Sequence, residues 1–443
     1  MSLAQQIAPR QANTVVLGAG GSSLGYRDLQ TTGITPIIAA DACIAVQLHD
    51  PLDVIRALAA LDGQVKAILL LSHALPQETA VALARSADCT ILIQDKVAEI
   101  GNGIRSTALG DLLGSERRSD PLPTVWLMTT SGTTGTPKIV PHTLRSLSRS
   151  VSRFTGGTDP IWGLLYDPTR FAGLQVVLQA LIGGGQLLAV DTTEALAAQI
   201  AVLADHHCSH LSATPTLWRR LLMVPQYARL PLRQITLGGE IADQPTLNAL
   251  RSAFSGVRLS HIYASTEAGV GFSVTDGLAG FPLSYLDKAP GNVRLSIRDG
   301  VLWIRPLLTA LRPGLPGIEI DADGYVCSGD RVDVRGDRVL FLGRENGLIN
   351  IGGVKVYPEV VEAVVKMVPG VALVQVSAKR SPVTGSLVLA EIQLDEGVDS
   401  SAVRRLILET CRASLDREAV PAIIRFVDGF QTNAAGKLMR AGG

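Results

Sequence analysis

The chain has 443 residues, more than the roughly 250–300 that one hydrophobic core usually organises, so at least two domains are expected. Hydrophobic residues make up 47% and charged residues 18%, a composition that argues against a disordered chain and favours an α/β protein with buried parallel strands. Forty basic residues balance forty acidic ones, so the net charge gives no sign of nucleic acid or an anionic membrane surface as a partner.

The five cysteines are scattered and form no CxxC pair, which is typical of reduced thiols in a cytoplasmic protein. The first ten residues lack a basic start followed by an apolar run, so we expect no secretory signal. The uncharged stretch Phe171–Val190 has the length of a membrane span, but glycines and glutamines interrupt it. We interpret it as a buried helix, a glycine turn and a strand, with no membrane insertion.

Near the start, residues 15–23 run from a strand into a glycine turn, and Ser23 stands where a dinucleotide fingerprint needs its third glycine, so a hairpin is favoured. β-Branched runs then alternate with helical periodicity, which predicts βαβ units and mainly parallel sheets. The predicted strands are Ala67–Leu71, Thr90–Ile93, Gln186–Val190, Gln234–Leu237 and Val257–Ile262. The predicted helices are Gln77–Arg85, Leu174–Leu181, Glu194–Ala204 and Asp243–Phe254.

The apolar strand Val125–Met128 leads into a segment rich in hydroxyls and glycines, Thr129–Lys138. Such a loop offers N–H and hydroxyl donors to a polyphosphate, and its glycines allow close approach. Pro137 stands where a Walker A loop needs glycine, so this is a different motif. Composition alone leaves open a surface loop without a ligand.

The segment His206–His210 contains residue types that bind metals, but their spacing does not match the usual structural zinc sites. We therefore expect a helix end that enters a strand at His210–Ala213.

A domain boundary is predicted near Gly343–Gly347, because about a hundred residues of α+β pattern follow it. The last residues form a polar loop that carries a single lysine, Lys437. The predicted elements of this part are a strand Val354–Tyr357, a helix from Pro358, strands Val371–Val376 and Leu387–Leu394, a helix Ser401–Leu415 and a strand Ile423–Val427.

Five motifs stand in one order along the chain: Thr130–Lys138, Tyr263–Glu267, Ser328–Asp330, Phe341–Arg344 and Gly436–Arg440. With these motifs the chain resembles the adenylate-forming (AMP-binding) superfamily, which contains acyl- and aryl-CoA synthetases, the adenylation domains of peptide synthetases, and luciferases. The resemblance implies an α/β fold, with a large N-terminal domain of mainly parallel sheets flanked by helices (1–345) and a small mobile α+β C-terminal domain (346–443).

The resemblance implies a nucleotide site. Tyr263 would stack on adenine, Thr266 would contact phosphate and Glu267 would hold Mg²⁺, which suits an ion that prefers carboxylate and phosphate oxygens. Asp330 would accept hydrogen bonds from the ribose hydroxyls, and Arg344 would also contact the ribose. The implied phosphate contacts are Thr130, Ser131, Gly132, Thr133, Thr134, Gly135 and Lys138. The adenine side would comprise Gly238, Gly239, Glu240, Ala264 and Ser265, where Ala264 replaces the family's usual glycine.

The resemblance also implies a catalytic role for Lys437, with Thr266 and Glu267, and a hinge at Asn346, where the family more often has aspartate or lysine. Gly352 and Gly353 would line the tunnel for the thiol. The next carboxylate position of the family is Val360 in this chain, while Glu362 is retained.

Substrate specificity is expected in the loop that contains Arg170, Phe171 and Gly173, the implied acyl pocket. Arg170 could bind a second carboxylate or another polar group of the acid. The simpler interpretation is that Arg170 pairs with Asp167 and shapes the loop.

The implied activity is ATP- and Mg²⁺-dependent conversion of a carboxylic acid into acyl-AMP, followed by thioester formation with coenzyme A. One alternative is transfer to the phosphopantetheine arm of a separate carrier protein. An alternative of another class is a non-catalytic homologue that senses a nucleotide. Retention of Glu267, Asp330, Arg344 and Lys437 together favours the enzyme.

Overall fold

The structure is a computed structural model of the chain. It describes residues 1–7, 14–18, 20–36, 38–100, 103–130, 137–307, 311, 315, 317–351, 353–381 and 385–430.

The strands of the first half are β1 (Thr14–Gly18), β2 (Ser23–Gly25), β3 (Gly33–Ile34), β4 (Cys43–Gln47), β5 (Ala67–Leu70), β6 (Ile91–Gln94), β7 (Arg105–Thr107), β8 (Leu113–Gly114), β9 (Val125–Thr130), β10 (Lys138–Thr143), β11 (Ile161–Leu164), β12 (Gln186–Ala189) and β13 (His210–Ala213). Those that follow are β14 (Gln234–Gly238), β15 (Arg258–Ser265), β16 (Gly269–Val274), β17 (Phe281–Pro282), β18 (Val293–Arg298), β19 (Val301–Pro306), β20 (Val326–Arg335), β21 (Arg338–Arg344), β22 (Ile349–Ile351), β23 (Val354–Val356), β24 (Val371–Ser381), β25 (Gly385–Leu394) and β26 (Ile423–Phe426).

The helices are α1 (Leu3–Gln6), α2 (Tyr26–Thr31), α3 (Pro51–Leu61), α4 (Gln77–Ser86), α5 (Leu109–Leu112), α6 (Leu144–Leu147), α7 (Phe171–Leu181), α8 (Leu196–Asp205), α9 (Pro215–Leu222), α10 (Gln244–Ala253), α11 (Pro358–Val365) and α12 (Ser400–Ser414). Several begin at a residue suited to capping, because Asp50, Thr214, Asp243 and Asp399 each accept a hydrogen bond from a backbone N–H of the first turn.

The largest sheet has eight strands in the order β16-β15-β14-β13-β11-β12-β1-β2. Its six central strands are parallel, and the two pairs at its edges are antiparallel. From β11 the chain passes to β12 on one side and then returns to β13 on the other. The strand order therefore reverses between β11 and β13, which is where open α/β sheets leave a crevice at the carboxyl ends of their strands.

The second sheet has the order β10-β9-β5-β4-β6-β7, with only the β9–β10 pair antiparallel. Helix α3 joins β4 to β5 and buries Val54, Ile55 and Leu58 completely. The chain must cross over the sheet between two parallel neighbouring strands, and this connection usually contains a helix, as it does here. These two sheets with their flanking helices confirm the predicted large region of mainly parallel sheets.

A third sheet of five strands, β17-β21-β20-β19-β18, is antiparallel throughout. Its core includes the fully buried Phe281 and the nearly buried Phe272 of β16, so this sheet packs against the edge of the first one. The sequence patterns did not predict it.

The part after residue 348 has a hydrophobic core of its own, built from residues between Ile349 and Phe426. Strands β24 and β25 pair antiparallel, β26 adds parallel to β25, and α11 and α12 cover the sheet. This arrangement confirms the predicted α+β elements of the region.

A buried ion pair joins this C-terminal part to the large sheets. Lys366, just after α11, donates to Asp243 at 3.0 Å, and the two side chains are only 16% and 7% exposed. Arg219 of α9 donates to the backbone oxygens of Val371 and Ala372 at 3.0 and 2.9 Å. We call these contacts the joint. They connect α9 and the start of α10 to β24 and to Lys366 after α11.

The pKa directions at the joint agree with an ionised pair. Burial favours neutral forms, but the Asp243 and Glu362 carboxylates outweigh it and raise the pKa of Lys366. Burial also opposes ionisation of Asp243, yet Lys366, bonds from Thr246 and the charge of Arg219 lower its pKa. Both groups are therefore charged near neutral pH.

Three local predictions are confirmed. Gly18 of β1 donates its N–H to the Ser22 oxygen across a hairpin between β1 and β2. The stretch Phe171–Val190 folds as buried α7, a glycine turn and β12. The segment after α8 enters β13 at His210, as predicted.

All five cysteines, which lie in described ranges, are free thiols. None of the helices in the described part of the chain has the length and apolar character needed to cross a lipid bilayer.

Candidate active site

Several of the segments singled out in the sequence meet at the carboxyl ends of the parallel strands. The loop Leu165–Arg170 follows β11, Thr214 follows β13, Gly239 follows β14 and Thr266 follows β15. Since these strands are parallel neighbours, their carboxyl ends share one edge, and the strand-order reversal lies within it.

The hydroxyl- and glycine-rich loop connects β9 to β10, with Thr130 directly opposite Lys138 in the antiparallel register. β9 and β10 therefore pair as a hairpin at the edge of the second sheet, and residues 131–136 lie between them in the sequence. Lys138 donates to the Gly317 oxygen at 2.6 Å, which ties the hairpin to the segment before β20. The implied phosphate contacts Ser131, Gly132, Thr133, Thr134 and Gly135 lie outside the described residues.

Tyr263, Asp330 and Arg344 form one hydrogen-bonded group. The Tyr263 hydroxyl donates to one carboxylate oxygen of Asp330, and Arg344 Nε donates to the other at 3.1 Å. Asp330 and Arg344 face each other across the β20–β21 pair, while Tyr263 comes from β15. Tyr263 and Asp330 are therefore hydrogen-bonded although they are 67 positions apart in the sequence.

The electrostatics of this group hold Tyr263 as a neutral donor. Burial, and then the Asp330 charge, raise the pKa of the Tyr263 hydroxyl well above 10. Burial opposes the charge on Arg344, but Asp330 outweighs it and raises the pKa of the guanidinium, with Tyr263 and Glu267 contributing.

The Tyr263 ring lies parallel to two phenylalanine rings. Its centroid is 5.0 Å from that of Phe341, with planes 3° apart, and 5.4 Å from that of Phe272, with planes 13° apart. Such stacking fixes the orientation of the ring. Its use as a platform for adenine stays a prediction.

The turn that carries Thr266 and Glu267 is held by two side chains, one from β10 and one from the segment that follows α6. His142 of β10 is 3% exposed, and its Nε2–H donates to the Thr266 oxygen at 2.7 Å. Arg149 Nη2 donates to the Ala268 oxygen at 2.8 Å and also to the Val270 oxygen. The backbone is therefore fixed on both sides of Glu267.

The pKa values of His142 and Arg149 are both lowered in this position. Burial is the main reason that the pKa of His142 falls to about 4, and the nearby Arg149 charge adds to it, whereas the bond to Thr266 acts in the opposite direction. Burial also lowers the pKa of Arg149 to about 10. At neutral pH His142 is therefore a neutral donor and Arg149 a cation.

The turn after β14 contains Gly238, Gly239 and Glu240. Gly239 has a φ of 81°, which glycine adopts without strain. The Glu240 carboxylate accepts the Thr216 N–H at 3.0 Å and so satisfies an open donor in the first turn of α9. This contact orders the turn without any ligand.

In the loop after β11, Arg170 Nη1 donates to the Thr129 oxygen at 3.5 Å, a long bond that places Arg170 beside the start of the hairpin loop. Asp167 instead accepts from the N–H and hydroxyl of Thr169. No ion pair between Arg170 and Asp167 occurs among the described residues, so the predicted pairing is wrong; the backbone N–H of Arg170 instead donates to the Asp167 oxygen at 3.1 Å.

Phe171 and Gly173 open α7, next to this loop. The Phe171 ring lies 6.0 Å from that of His142. A Cβ on Gly173 would come within 2.1 Å of the Asp167 backbone oxygen, so only glycine allows α7 to pack this closely against the loop.

The implied hinge and tunnel positions are described only in part. A short 3-10 turn spans Glu345–Gly347, and the side chain of Asn346 is outside the described part. Gly353 is exposed at the tip of the β22–β23 hairpin and donates its N–H to Asn350 at 3.0 Å. Gly352 and Lys437 lie outside the described residues.

The sequence reasoning missed His142, Arg149 and the joint residues. A single histidine and separate charged residues form no motif that can be recognised when only one sequence is considered. One usable signal was the alternation along β10, where Lys138, Val140 and His142 share a face and the last two are buried.

Mg²⁺ fits the donors present here. No group of three or more possible ligand side chains occurs in the described ranges, which argues against an all-protein cage. Glu267 is a half-buried carboxylate at the edge where phosphates are expected. Mg²⁺ typically takes one or two carboxylates together with substrate phosphates.

A profile of the family described as AMP-binding enzyme matches residues 38–300. Among similar proteins, 2-succinylbenzoate–CoA ligase of Bacillus velezensis is 28% identical over 85% of this chain and 81% of its own. The medium/long-chain-fatty-acid–[acyl-carrier-protein] ligase FadD10 of Mycobacterium tuberculosis is 27% identical over 74% of this chain and 66% of its own.

A third relative is the probable non-canonical nonribosomal peptide synthetase CymA of Salinispora arenicola, 28% identical over 71% of this chain. The match spans only 4% of CymA. Among solved structures, the anthranilate CoA ligase AuaEII in complex with anthranoyl-AMP is similar with a TM-score of 0.80, covering 98% of this chain and 94% of that one at 16% identity. This likeness establishes the fold.

Proposed function

The chain belongs to the AMP-binding enzyme family, and we propose that it joins a carboxylic acid to AMP and then transfers the acyl group to a thiol. One observation carries the proposal. Asp330 is hydrogen-bonded by Arg344 and by Tyr263, and Tyr263 lies on β15, the strand that runs into the turn of Glu267; this supports Asp330 as a ribose anchor and Glu267 as a metal carboxylate at one crevice.

In the first step a carboxylate oxygen attacks the α-phosphorus of ATP, the bond to the β-phosphate oxygen breaks, and pyrophosphate leaves. The acid is already ionised at neutral pH, so no general base is needed. Catalysis therefore depends on positioning and on offsetting negative charge. Asp330 would orient the ribose, and Lys138 with the hairpin loop would hold the phosphates.

Mg²⁺ held by Glu267 and phosphate oxygens would offset charge on the phosphates. Thr266 would contact phosphate beside it. Lys437 would bridge the substrate carboxylate and the α-phosphate, which suits the compact positive charge of a lysine ammonium group.

In the second step a thiolate attacks the acyl carbonyl carbon and the bond to AMP oxygen breaks, giving a thioester and AMP. We propose that residues 346–443 rotate about Asn346 between the steps, withdrawing Lys437 and bringing Gly352 and Gly353 to the acyl group. The separate hydrophobic core after residue 348 supports a unit that moves as a body.

The acceptor is proposed to be coenzyme A, because Gly353 stands exposed at a narrow hairpin tip that a slender arm could pass. The phosphopantetheine arm of a separate carrier protein is the alternative, and similarity to FadD10 favours it.

Arg170 is proposed to select the acid. It lies at the crevice beside the start of the hairpin loop, with a guanidinium that suits a carboxylate or another polar substituent. Substituting Arg170→Ala and comparing monoacids with diacids tests this role, and an unchanged preference would contradict it.

The test of the activity is exchange of labelled pyrophosphate into ATP, measured over a panel of carboxylic acids with and without Mg²⁺. Exchange that depends on one class of acid supports the proposal. Nucleotide binding without exchange for any acid would favour the nucleotide-sensing alternative. AMP release with coenzyme A or with a carrier protein then identifies the acceptor.

A further inference from the structure

We infer that His142 and Arg149 are positioning residues that set the place of the Glu267 carboxylate for a divalent cation bound with ATP. This inference rests on the proposed function of Glu267. We call the two side chains the brace. Neither side chain belongs to a motif of the sequence, and neither is expected to touch substrate.

The brace acts on the backbone around Glu267. It fixes the carbonyl groups of Thr266, Ala268 and Val270, one on the N-terminal side of Glu267 and two on the other. Ser265 completes the turn by accepting the Ala268 N–H at 3.0 Å. The backbone from which the Glu267 side chain extends is therefore fixed on both sides.

The brace also links two parts of the site. His142 lies four residues after Lys138 on the same face of β10, and β10 begins where the hairpin loop ends. A shift of this strand therefore moves Lys138 and the Glu267 turn together. Glu267 and Lys138, the proposed phosphate contact, would keep one spacing, which suits a cation bound by a carboxylate together with phosphate oxygens.

The brace depends on a donor at the position of Nε2. The Thr266 carbonyl oxygen can only accept a hydrogen bond, so Nε2 of His142 carries the hydrogen. Nδ1 of the neutral imidazole then carries none and can only accept; it lies 3.3 Å from the Ser146 hydroxyl oxygen. Glutamine places its amide nitrogen near the position of Nε2, whereas asparagine is one methylene shorter.

The experiment compares His142→Gln with His142→Asn, which differ by that methylene alone. Binding of Mn²⁺ in the presence of ATP is measured by electron paramagnetic resonance, which needs no turnover. We expect His142→Asn to weaken Mn²⁺ binding about tenfold, the effect of losing one buried hydrogen bond, and His142→Gln to stay within about threefold of the wild type.

His261→Leu is the matched control, because His261 is also buried and its Nε2–H donates to a backbone oxygen, that of Leu278, at 3.0 Å. We expect unchanged Mn²⁺ affinity in this variant. Equal affinity in the Gln and Asn variants, or a wild type that binds no Mn²⁺ with ATP, overturns the brace. Absence of pyrophosphate exchange with Mn²⁺ binding intact overturns the proposed function alone.

Discussion

Substituting Lys366→Met should loosen the joint. The change leaves the Asp243 carboxylate, whose side chain is 7% exposed, without its cation. Removing one partner of a buried ion pair typically costs about 3–5 kcal/mol, and Arg219 remains close enough to offset part of it. We therefore expect about 3 kcal/mol, or roughly a 150-fold larger equilibrium constant for opening the joint.

The assay is modification of Arg219 by phenylglyoxal, followed by peptide mass spectrometry. Arg219 bonds the Val371 and Ala372 oxygens inside the joint, so its labelling rate reports opening. Lys379→Met, at an exposed lysine of β24, is the control and should label like the wild type. The double variant Lys366→Met with Asp243→Asn should recover most of the protection, since neither buried charge is then left alone.

Wild-type labelling of Arg219 in Lys366→Met would refute the reasoning. The pH dependence gives a second check. Asp243 has a lowered pKa in the fold, so its contribution is present above its unfolded pKa of about 4 and is lost as the pH falls through the folded value. Lys366 has a raised pKa, so its contribution is lost only as the pH rises beyond about 10.4. The difference in the free energy of opening the joint between the wild type and Lys366→Met should therefore be constant from about pH 5 to 9.

Three further predictions concern the site. Tyr263→Phe removes a donor to Asp330 and should raise the KM for ATP about tenfold while the fold persists; an unchanged KM would count against Asp330 as the ribose anchor. Lys437→Ala should reduce pyrophosphate exchange by orders of magnitude while thioester formation from supplied acyl-AMP continues, and equal loss of both steps would remove this role. Gly173→Ala should push the Asp167 backbone away, lowering the melting temperature by an amount equivalent to about 1–3 kcal/mol and raising the KM for the acid; a calorimetric scan matching the wild type would contradict the packing argument.

The parallel part of the fold was predictable because its strands and helices carry clear local patterns. The predicted strand Ala67–Leu71 is β5, and the predicted helix Gln77–Arg85 is α4, each within one residue. The strand β11 was missed, since Ile161–Leu164 is short and contains a glycine. The antiparallel third sheet was missed although β18 alternates apolar and polar residues and pairs with β19 across a tight turn, so a local signal was present and was overlooked.

The candidate site, like the fold, could be predicted from the sequence only in part. Motifs located Tyr263, Asp330 and Arg344, but only the fold shows that they share one carboxylate. His142 and Lys366 act through a backbone oxygen and a buried ion pair, and the partners lie 124 and 123 residues away. No local pattern specifies contacts at that separation, so they could be found only in three dimensions.

The reversal of strand order between β11 and β13 has an evolutionary consequence. The loop after β11 meets the crevice from one side, while Tyr263, Asp330 and Arg344 are supplied by β15 and by the third sheet. On the proposal that Arg170 selects the acid, mutations in Leu165–Arg170 should change which acid is accepted and leave Tyr263, Asp330 and Arg344 in place. A gene encoding this scaffold would then diversify its chemistry through one short loop, and directed evolution of new acid preferences should begin there.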